Sequence, residues 1–352
     1  MPDFLRRGLR STADQVARMS GLLARRERDR GGALTVLTYH RVLPEERCAR
    51  YPFPSLAMPL GAFREQVRWL AAHGEVASLA QALELDAARA RRPAFALTFD
   101  DGYDDSSEIV AGILEEAGLR GTFFVTTGFV GTGDLLWFDR AALLFAEVGD
   151  RDRRAIVRQA CGDRRAGELP PPEADGASWT RHLKGLLPGE RAAVLAELER
   201  AAGGAPAADG YRSMSVAQVT ELHRRGHEVG SHTVSHAMLP DLDEAALRRE
   251  IEAARDTIAG WTGGTVPGFC YPNGDHDERT VAAVVRAGHA YACTTRDGVH
   301  GPRDDRYRIP RVDVAPGRVT SAAGRPDTTA FRRELCGLYG RRRRAPAIRG
   351  AR

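Results

Sequence analysis

The chain has 352 residues, of which 43% are hydrophobic and 28% charged, and its formal net charge is +4 at pH 7. This composition is typical of a folded globular protein with a substantial apolar core, and it excludes disordered and membrane-embedded chains. The sequence has no run of 18 apolar residues, and no apolar run follows Arg6, Arg7 and Arg10. It therefore predicts neither a transmembrane helix nor a signal peptide, and we expect a cytoplasmic location.

The cysteine pattern favours a reducing compartment. The cysteines are odd in number, widely spaced and without a C-x-x-C pair: Cys48, Cys161, Cys270, Cys293 and Cys336. This pattern predicts neither a disulfide framework nor a thiolate zinc site.

Both ends of the chain are basic. Residues 1–30 carry eight arginines against four acidic residues, and the predicted C-terminal tail at 321–352 has six arginines from Arg341 onward. Apolar residues between 3 and 26 recur at helical spacing, which predicts a basic amphipathic helix within 1–30. That helix can lie peripherally on a membrane or pack on the outside of the domain, and both alternatives stay open. Basic ends are usually solvated, so no nucleic-acid partner is predicted.

Short apolar runs alternate with helical patterns after Gly31 and Gly32. The runs predict strands at 34–39, 95–99, 122–126, 228–231, 266–271, 290–294 and 308–312. Helical patterns lie between them at 60–73, 107–117, 215–225, 244–261 and 278–287. The alternation predicts an α/β fold of right-handed βαβ units around a mainly parallel sheet. Periodicity alone leaves a closed barrel and an open sheet as alternatives.

The alternation is interrupted at residues 131–212. Helical patterns at 135–148 and 190–202 flank three consecutive prolines at 170–172, and a Gly/Ala/Pro-rich stretch follows at 203–210. We interpret 131–212 as a mostly helical insertion, carried by one barrel domain formed by 31–130 and 213–320.

The run Thr98-Phe99-Asp100-Asp101-Gly102 places two adjacent carboxylates at the end of an apolar strand. In α/β folds, ligands bind at the carboxyl ends of strands. Side chains alternate along a strand, so two neighbouring acids reach one pocket only where the strand gives way to a loop. Taken alone, Asp-Asp-Gly is more often an ordinary turn.

The run His232-Thr233-Val234-Ser235-His236 follows the apolar segment at 228–231. Two imidazoles four residues apart lie on one side of a helical turn and can hold one ion. With Asp101 they form a set of two histidines and one carboxylate, which leaves coordination positions for water and substrate.

Two further strand ends carry polar residues. One reads Tyr39-His40-Arg41-Val42, and the other reads Phe269-Cys270-Tyr271-Pro272-Asn273-Gly274. Each is a weak signal alone, but four strand ends supplying acids, imidazoles and a turn predict one shared cleft.

On these residues the chain resembles the polysaccharide deacetylases of carbohydrate esterase family 4, the NodB-homology family. Residues 98–102 resemble the family's first motif, and 232–236 resemble its second, H-[S/T]-x-x-H. The resemblance implies a distorted (β/α) barrel of about seven strands, with the insertion outside it. It also implies that Asp101, His232 and His236 bind a divalent ion, usually zinc, and that Asp100 is the general base.

The resemblance further implies that a backbone N–H near Tyr271 stabilises the oxyanion. The usual arginine near the Pro-Tyr turn and the usual late Leu-x-His are missing. The sequence is instead similar to the permuted branch acting on poly-N-acetylglucosamine-like polymers, so we expect His40 to be the general acid. We expect Arg311 to replace the missing arginine and pair with Asp100; an ordinary surface ion pair is the alternative.

The predicted activity is hydrolysis of N-acetyl groups on a polysaccharide or glycolipid sugar, a reaction on carbon-nitrogen bonds other than peptide bonds; hydrolysis of O-acetyl groups is the alternative. We expect substrate contacts from Tyr39, Pro272, Asn273 and Gly274. The alternatives are a metal hydrolase of a non-sugar amide, an inactive sugar-binding protein, and a membrane or nucleic-acid binding protein. A base beside the ligands argues against binding alone, since binding requires none.

Overall fold

The computed structural model describes residues 21, 33–85, 92–166, 168–207, 210–321 and 325–337. Apart from residue 21, the amphipathic helix predicted within 1–30 lies outside these residues, as do the arginines from Arg341 onward. Among the described helices, none combines the length and the apolar character needed to cross a membrane.

A parallel sheet forms the centre of the described structure. The strands are β1 (Leu34–Tyr39), β2 (Arg41–Leu43), β3 (Ala57–Pro59), β4 (Glu75–Ala77), β5 (Ala94–Phe99), β6 (Thr122–Val125), β7 (Glu228–Ser231), β8 (Gly268–Cys270), β9 (Tyr291–Cys293) and β10 (Val312–Asp313). The main sheet has the order β10-β1-β5-β6-β7-β8-β9, and β4 pairs with β5. Every pairing is parallel, including that of β2 with β3 in a separate sheet.

The two ends of the main sheet are joined by the run at 309–313. Ile309 forms a parallel bridge with Cys293 of β9, and its carbonyl accepts a hydrogen bond of 2.9 Å from the Thr294 N–H. Three residues later, Val312 pairs with Leu37 of β1. The sheet therefore curls into a distorted barrel, which confirms the predicted fold class and decides between the closed and open alternatives.

Helices pack on the sheet through apolar side chains three or four residues apart. In Leu60–His73 the buried side chains include Phe63, Val67 and Leu70, and they join Phe99 of β5 in the main core. The Phe63 and Phe99 rings meet edge to face, with centroids 5.8 Å apart. The other helices around the barrel are Glu45–Cys48, Leu79–Leu83, Ala111–Glu116, Val216–Arg224, Glu244–Arg248, Ala254–Thr262, Glu278–Arg286, Pro316–Val319 and Thr328–Leu335, with π-helical turns at Ser106–Val110 and Arg249–Ala253 and 3-10 turns at Leu239–Asp241 and Pro272–Gly274.

The described part of 131–212 is helical, as expected. It contains a group of helices that we name the helical segment: Trp137–Glu147, Asp150–Ala166, Gly176–Leu183 and Pro188–Ala202. These helices share an apolar cluster in which the rings of Phe145 and Trp179 stack with centroids 4.9 Å apart. The helical segment thus has a core of its own, and its description as an insertion stays a proposal.

Part of the predicted C-terminal tail is a packed helix. Thr328–Leu335 begins after Asp327, whose carboxylate accepts hydrogen bonds from two backbone N–H groups of the first turn. Phe331 and Leu335, four residues apart, are buried in the main core. The arginines of this stretch conceal the apolar spacing, which explains why charge alone suggested a solvated tail.

Candidate active site

Parallel register places His40 beside Asp100. Tyr39 is the register partner of Phe99, and the Asp100 N–H donates a 3.0 Å hydrogen bond to the Tyr39 carbonyl. His40 follows Tyr39 and Asp100 follows Phe99, so both lie at the same edge of the sheet, as expected for parallel neighbours. His40 Nε2 is 4.0 Å from Asp100 Oδ2, and the His40 side chain is 23% exposed.

The three expected metal ligands come together. His232 Nε2 is 3.5 Å and His236 Nε2 is 3.6 Å from Asp101 Oδ1, and all three residues are buried. Neither oxygen of the Asp101 carboxylate has a hydrogen-bond partner among the described residues. Burial and then the neighbouring charge of Asp100 raise the pKa of Asp101 well above its ordinary value. A buried carboxylate that faces two imidazoles and accepts no hydrogen bond is suited to bind a divalent cation. The positive charge of the cation would keep the carboxylate ionised.

Both imidazoles are in the form that binds a cation. The Nδ1 of His232 lies 2.8 Å from the Cys270 carbonyl, a contact that assigns the proton to Nδ1 and leaves Nε2 as the free acceptor. Burial lowers the pKa of His232 to about 4, and it lowers the pKa of His236 well below its ordinary value. Neutral rings at neutral pH are what ligation requires.

The loop between the two histidines is held by its own side chains and by one distant acid. Thr233 Oγ1 accepts a 3.0 Å hydrogen bond from the His236 N–H. One oxygen of Glu250 accepts hydrogen bonds of 2.9 Å from the N–H groups of Val234 and Ser235. Glu250 thus fixes the turn that presents the ligands, and no local sequence signal pointed to it.

Backbone strain in the described residues is concentrated at this site. The non-glycine residues with positive φ there are Asp101 (80°), Thr233 (69°), His236 (55°) and Asn273 (54°). Each belongs to one of the predicted strand-end motifs. Such conformations are unfavourable for residues with a Cβ, and they persist where surrounding packing enforces them, typically at functional sites.

Arg311 pairs with Asp100, as predicted from the missing arginine. Its guanidinium donates to both carboxylate oxygens, at 2.8 and 2.7 Å, and both residues are buried. Further donors reach the Thr294 carbonyl, Thr98 Oγ1 and Cys270 Sγ, at 2.9, 3.0 and 3.1 Å. Burial acts to raise the pKa of Asp100, but Arg311 outweighs burial and holds that pKa below its usual range. Asp100 is therefore ionised at neutral pH.

In the turn after β8, both the side chain and the N–H group of Tyr271 are engaged within the protein. The Tyr271 side chain is buried, and its hydroxyl donates to the Tyr307 carbonyl at 3.2 Å. The Tyr271 N–H donates to the Cys293 carbonyl at 3.1 Å, so it is engaged in the sheet. Because Pro272 has no N–H, the next backbone donor along the chain is that of Asn273.

Tyr39 does not reach the site with its side chain. Its ring packs between Phe63 and Phe99, with centroids 5.3 and 5.5 Å away, and its hydroxyl donates to Gln66 Oε1 at 2.9 Å. Side chains alternate along a strand, so His40 at the edge and Tyr39 inside the core face opposite ways. The expectation of a substrate contact by this side chain is therefore wrong.

The helical segment brings further polar residues to the site that the sequence did not indicate. Asp139 is buried and accepts hydrogen bonds from the hydroxyls of Tyr51 and Tyr103, at 3.0 and 2.5 Å. Burial raises the pKa of Asp139 to about 6. The Lys184 ammonium donates to Asn273 Oδ1. Neither residue lies in a recognisable motif, and only tertiary packing brings them here.

Comparisons with known proteins agree with this geometry. A sequence profile described as "Polysaccharide deacetylase" matches residues 87–161 and 194–292. YxkH of Bacillus subtilis (strain 168), named as a candidate polysaccharide deacetylase, is 27% identical over 107 residues, which are 30% of this chain and 38% of YxkH. The chain thus spans well under half the length of that relative.

Two solved structures share the fold at low sequence identity. Streptococcus pyogenes deacetylase PplD, in complex with acetate, superposes with a TM-score of 0.52 at 16% identity, over 81% of this chain and 94% of PplD. IcaB from Ammonifex degensii superposes with a TM-score of 0.50 at 19% identity, over 81% of this chain and 93% of IcaB.

We predict that the purified protein holds about one divalent ion per chain, and that His232→Ala or His236→Ala loses most of it, since each change removes one of three ligands. Elemental analysis after dialysis measures this occupancy. His73→Ala, at an exposed histidine, is the control and keeps the ion. Full occupancy in the His232→Ala, His236→Ala double variant would contradict the site.

Proposed function

Because this chain belongs to the polysaccharide deacetylase family, we propose that it is a metal-dependent hydrolase that removes acetyl groups from a sugar. The observation that carries the proposal is the pair of adjacent buried carboxylates with different partners. Asp100 is ionised and paired with Arg311, whereas Asp101 faces His232 and His236 without a donor. One carboxylate is thus equipped as a base and the other as a ligand.

A divalent ion held by Asp101, His232 and His236, zinc being our proposal, would polarise the acetyl carbonyl and activate water at neutral pH. Asp100 is the general base that takes the proton from the attacking water. Arg311 holds the pKa of Asp100 below its usual range, so the carboxylate is unprotonated near neutral pH, as a general base must be.

His40 is proposed as the general acid. It lies at the same edge of the sheet as Asp100 and is partly exposed, so its imidazole can reach both the reacting group and solvent. Burial lowers the pKa of His40, and the charge of Asp100 opposes that effect. A protonated imidazole can donate to the sugar nitrogen, which leaves as an amine because its anion is too basic.

The oxyanion of the tetrahedral intermediate requires a donor, and we assign this role to the Asn273 N–H. The N–H group that precedes it in the chain is that of Tyr271, because Pro272 has none, and the Tyr271 N–H already donates to the Cys293 carbonyl. Asn273 follows Pro272 in the same turn, in a positive φ conformation. A preorganised backbone donor at this point would stabilise charge that develops only in the transition state.

We propose a carbohydrate substrate with N-acetyl groups, in which case the enzyme hydrolyses carbon-nitrogen bonds other than peptide bonds; O-acetyl groups are the alternative. The substrate is a polysaccharide or a glycolipid sugar. Acetate release from a panel of acetylated glycans and glycolipids, with the zinc-loaded protein, tests the proposal. A panel without any acetate release, at full metal occupancy, would refute it.

We predict that Asp100→Asn keeps the metal and loses turnover by a factor of about 10² to 10⁴, because an amide cannot accept the proton of water. Asp101→Asn loses metal first, since an amide is a weaker ligand. Acetate release and metal content are measured side by side. Equal metal loss in both variants, with both rescued by excess zinc, would show that the two carboxylates do not have separate roles.

We predict that Arg311→Met moves the acid limb of the kcat/KM profile to higher pH. Without the guanidinium, burial raises the pKa of Asp100, so the base is protonated over a wider acidic range. Arg311→Lys keeps one positive charge and shifts the limb less. The pH profile of acetate release measures this, with circular dichroism to verify folding. An unchanged acid limb in a folded Arg311→Met variant would be inconsistent with the assigned pairing.

We predict that His40→Ala retains metal and fold but loses about 10² to 10⁴ in rate on an N-acetylated sugar, which is the usual effect of removing a general acid. The loss is smaller on an aryl acetate, because that leaving group needs little protonation. Comparing the two substrates measures the difference. Equal losses on both would instead make His40 a residue that shapes the site.

A further inference from the structure

A single lysine occurs among the 51 basic residues of the chain, and it is Lys184. It follows the helix Gly176–Leu183 of the helical segment. Its ammonium donates to Asn273 Oδ1, across 89 residues of sequence. Charge interactions also link Lys184 with Asp101 and His40, so the ammonium lies within electrostatic range of the reacting groups.

The turn that Lys184 reaches is held on several sides. Thr295 Oγ1 donates to the Asn273 carbonyl at 2.8 Å, and Asn273 Nδ2 lies 2.8 Å from Met238 Sδ. Gly274 packs so closely on Thr295 that a Cβ at this glycine would lie 2.2 Å from Thr295 Oγ1. The carbonyl group and the side chain of Asn273 are thus each held by a neighbouring side chain. The direction of the Asn273 N–H depends on these contacts.

We infer that Lys184 is a positioning residue that holds the Asn273 turn in its reactive conformation, so that the helical segment completes the active site. The inference rests on the proposed function, in which the Asn273 N–H faces the oxyanion. The Lys184 side chain is the anchor supplied by the helical segment, whereas the contacts from Thr295 and Met238 come from the barrel domain.

The chemistry of lysine suits this contact. Asn273 Oδ1 is a neutral acceptor in a turn with a strained φ of 54°, and a charged donor forms a stronger hydrogen bond to it than a neutral donor would. Lys184 as a whole is an exposed residue. A direct contact of Lys184 with the sugar is therefore the competing role that an experiment has to separate.

A double-mutant cycle separates the two roles. Lys184→Met removes the donor, and Asn273→Gly removes the acceptor while permitting the positive φ. Each single variant is expected to lose about tenfold in kcat on an aryl acetate with little change in KM, because the oxyanion donor is mispositioned. In the double variant the loss is no greater than in Asn273→Gly alone. Losses that multiply would overturn the inference, as would an unaffected kcat in Lys184→Met.

Matched variants and a binding measurement complete the test. Arg181→Met, three residues earlier and exposed, keeps full activity, and Lys184→Arg restores part of the kcat because a guanidinium also donates. Calorimetry with acetate on the zinc-loaded protein is independent of turnover, and Lys184→Met binds acetate several-fold more weakly than wild type. Wild-type protein that neither binds nor releases acetate would refute the proposed function, whereas equal acetate binding by wild type and Lys184→Met would refute only the role of Lys184.

Discussion

Two adjacent carboxylates buried at the end of one strand are the constraint on which the rest of this site depends. Asp100 and Asp101 are each almost fully shielded from solvent, and like charges in such a place destabilise each other unless both are compensated. Asp100 is compensated by the two-pronged hydrogen bonds of Arg311. The Asp101 carboxylate accepts no hydrogen bond from the described residues and faces the two imidazoles, and the cation that we propose there would compensate its charge. Our proposal of Asp100 as base and Asp101 as ligand rests on this difference in partners.

The parallel sheet determines which residues meet at that point. β1, β5, β7 and β8 all end at one edge, and the residue after each strand is polar or lies in a turn. The close approach of His40 to Asp100 follows from the register of Tyr39 with Phe99, because parallel partners advance together. The turn conformations that bring Asp101 and His236 inward carry positive φ values, and the packed barrel supplies the support that such strain requires.

The helical segment is more than a separate bundle beside the barrel. Its apolar cluster around Phe145 and Trp179 gives it a core of its own, and three side chains from its helices or next to them extend to the site. Phe138 meets the His236 ring edge to face, with centroids 5.2 Å apart. Asp139 accepts from two tyrosines of the barrel domain, and Lys184 donates to Asn273. A layer with a packed core of its own is suited to hold such contacts in place.

The sequence by itself determined the α/β class, the approximate positions of seven strands of the main sheet and the motif residues of the candidate site. Local signals were sufficient there: alternating periodicities set the elements, and adjacent acids and paired histidines at strand ends marked Asp100, Asp101, His232 and His236. Tertiary structure alone decided what depends on long-range contacts. Barrel closure required the bridge from Ile309 to Cys293, and the burial of Tyr39 rather than His40 depends on contacts of the Tyr39 ring with Phe63 and Phe99. Glu250, Asp139 and Lys184 join the site from segments with no motif, because a hydrogen bond between residues distant in the chain leaves no periodic trace in sequence.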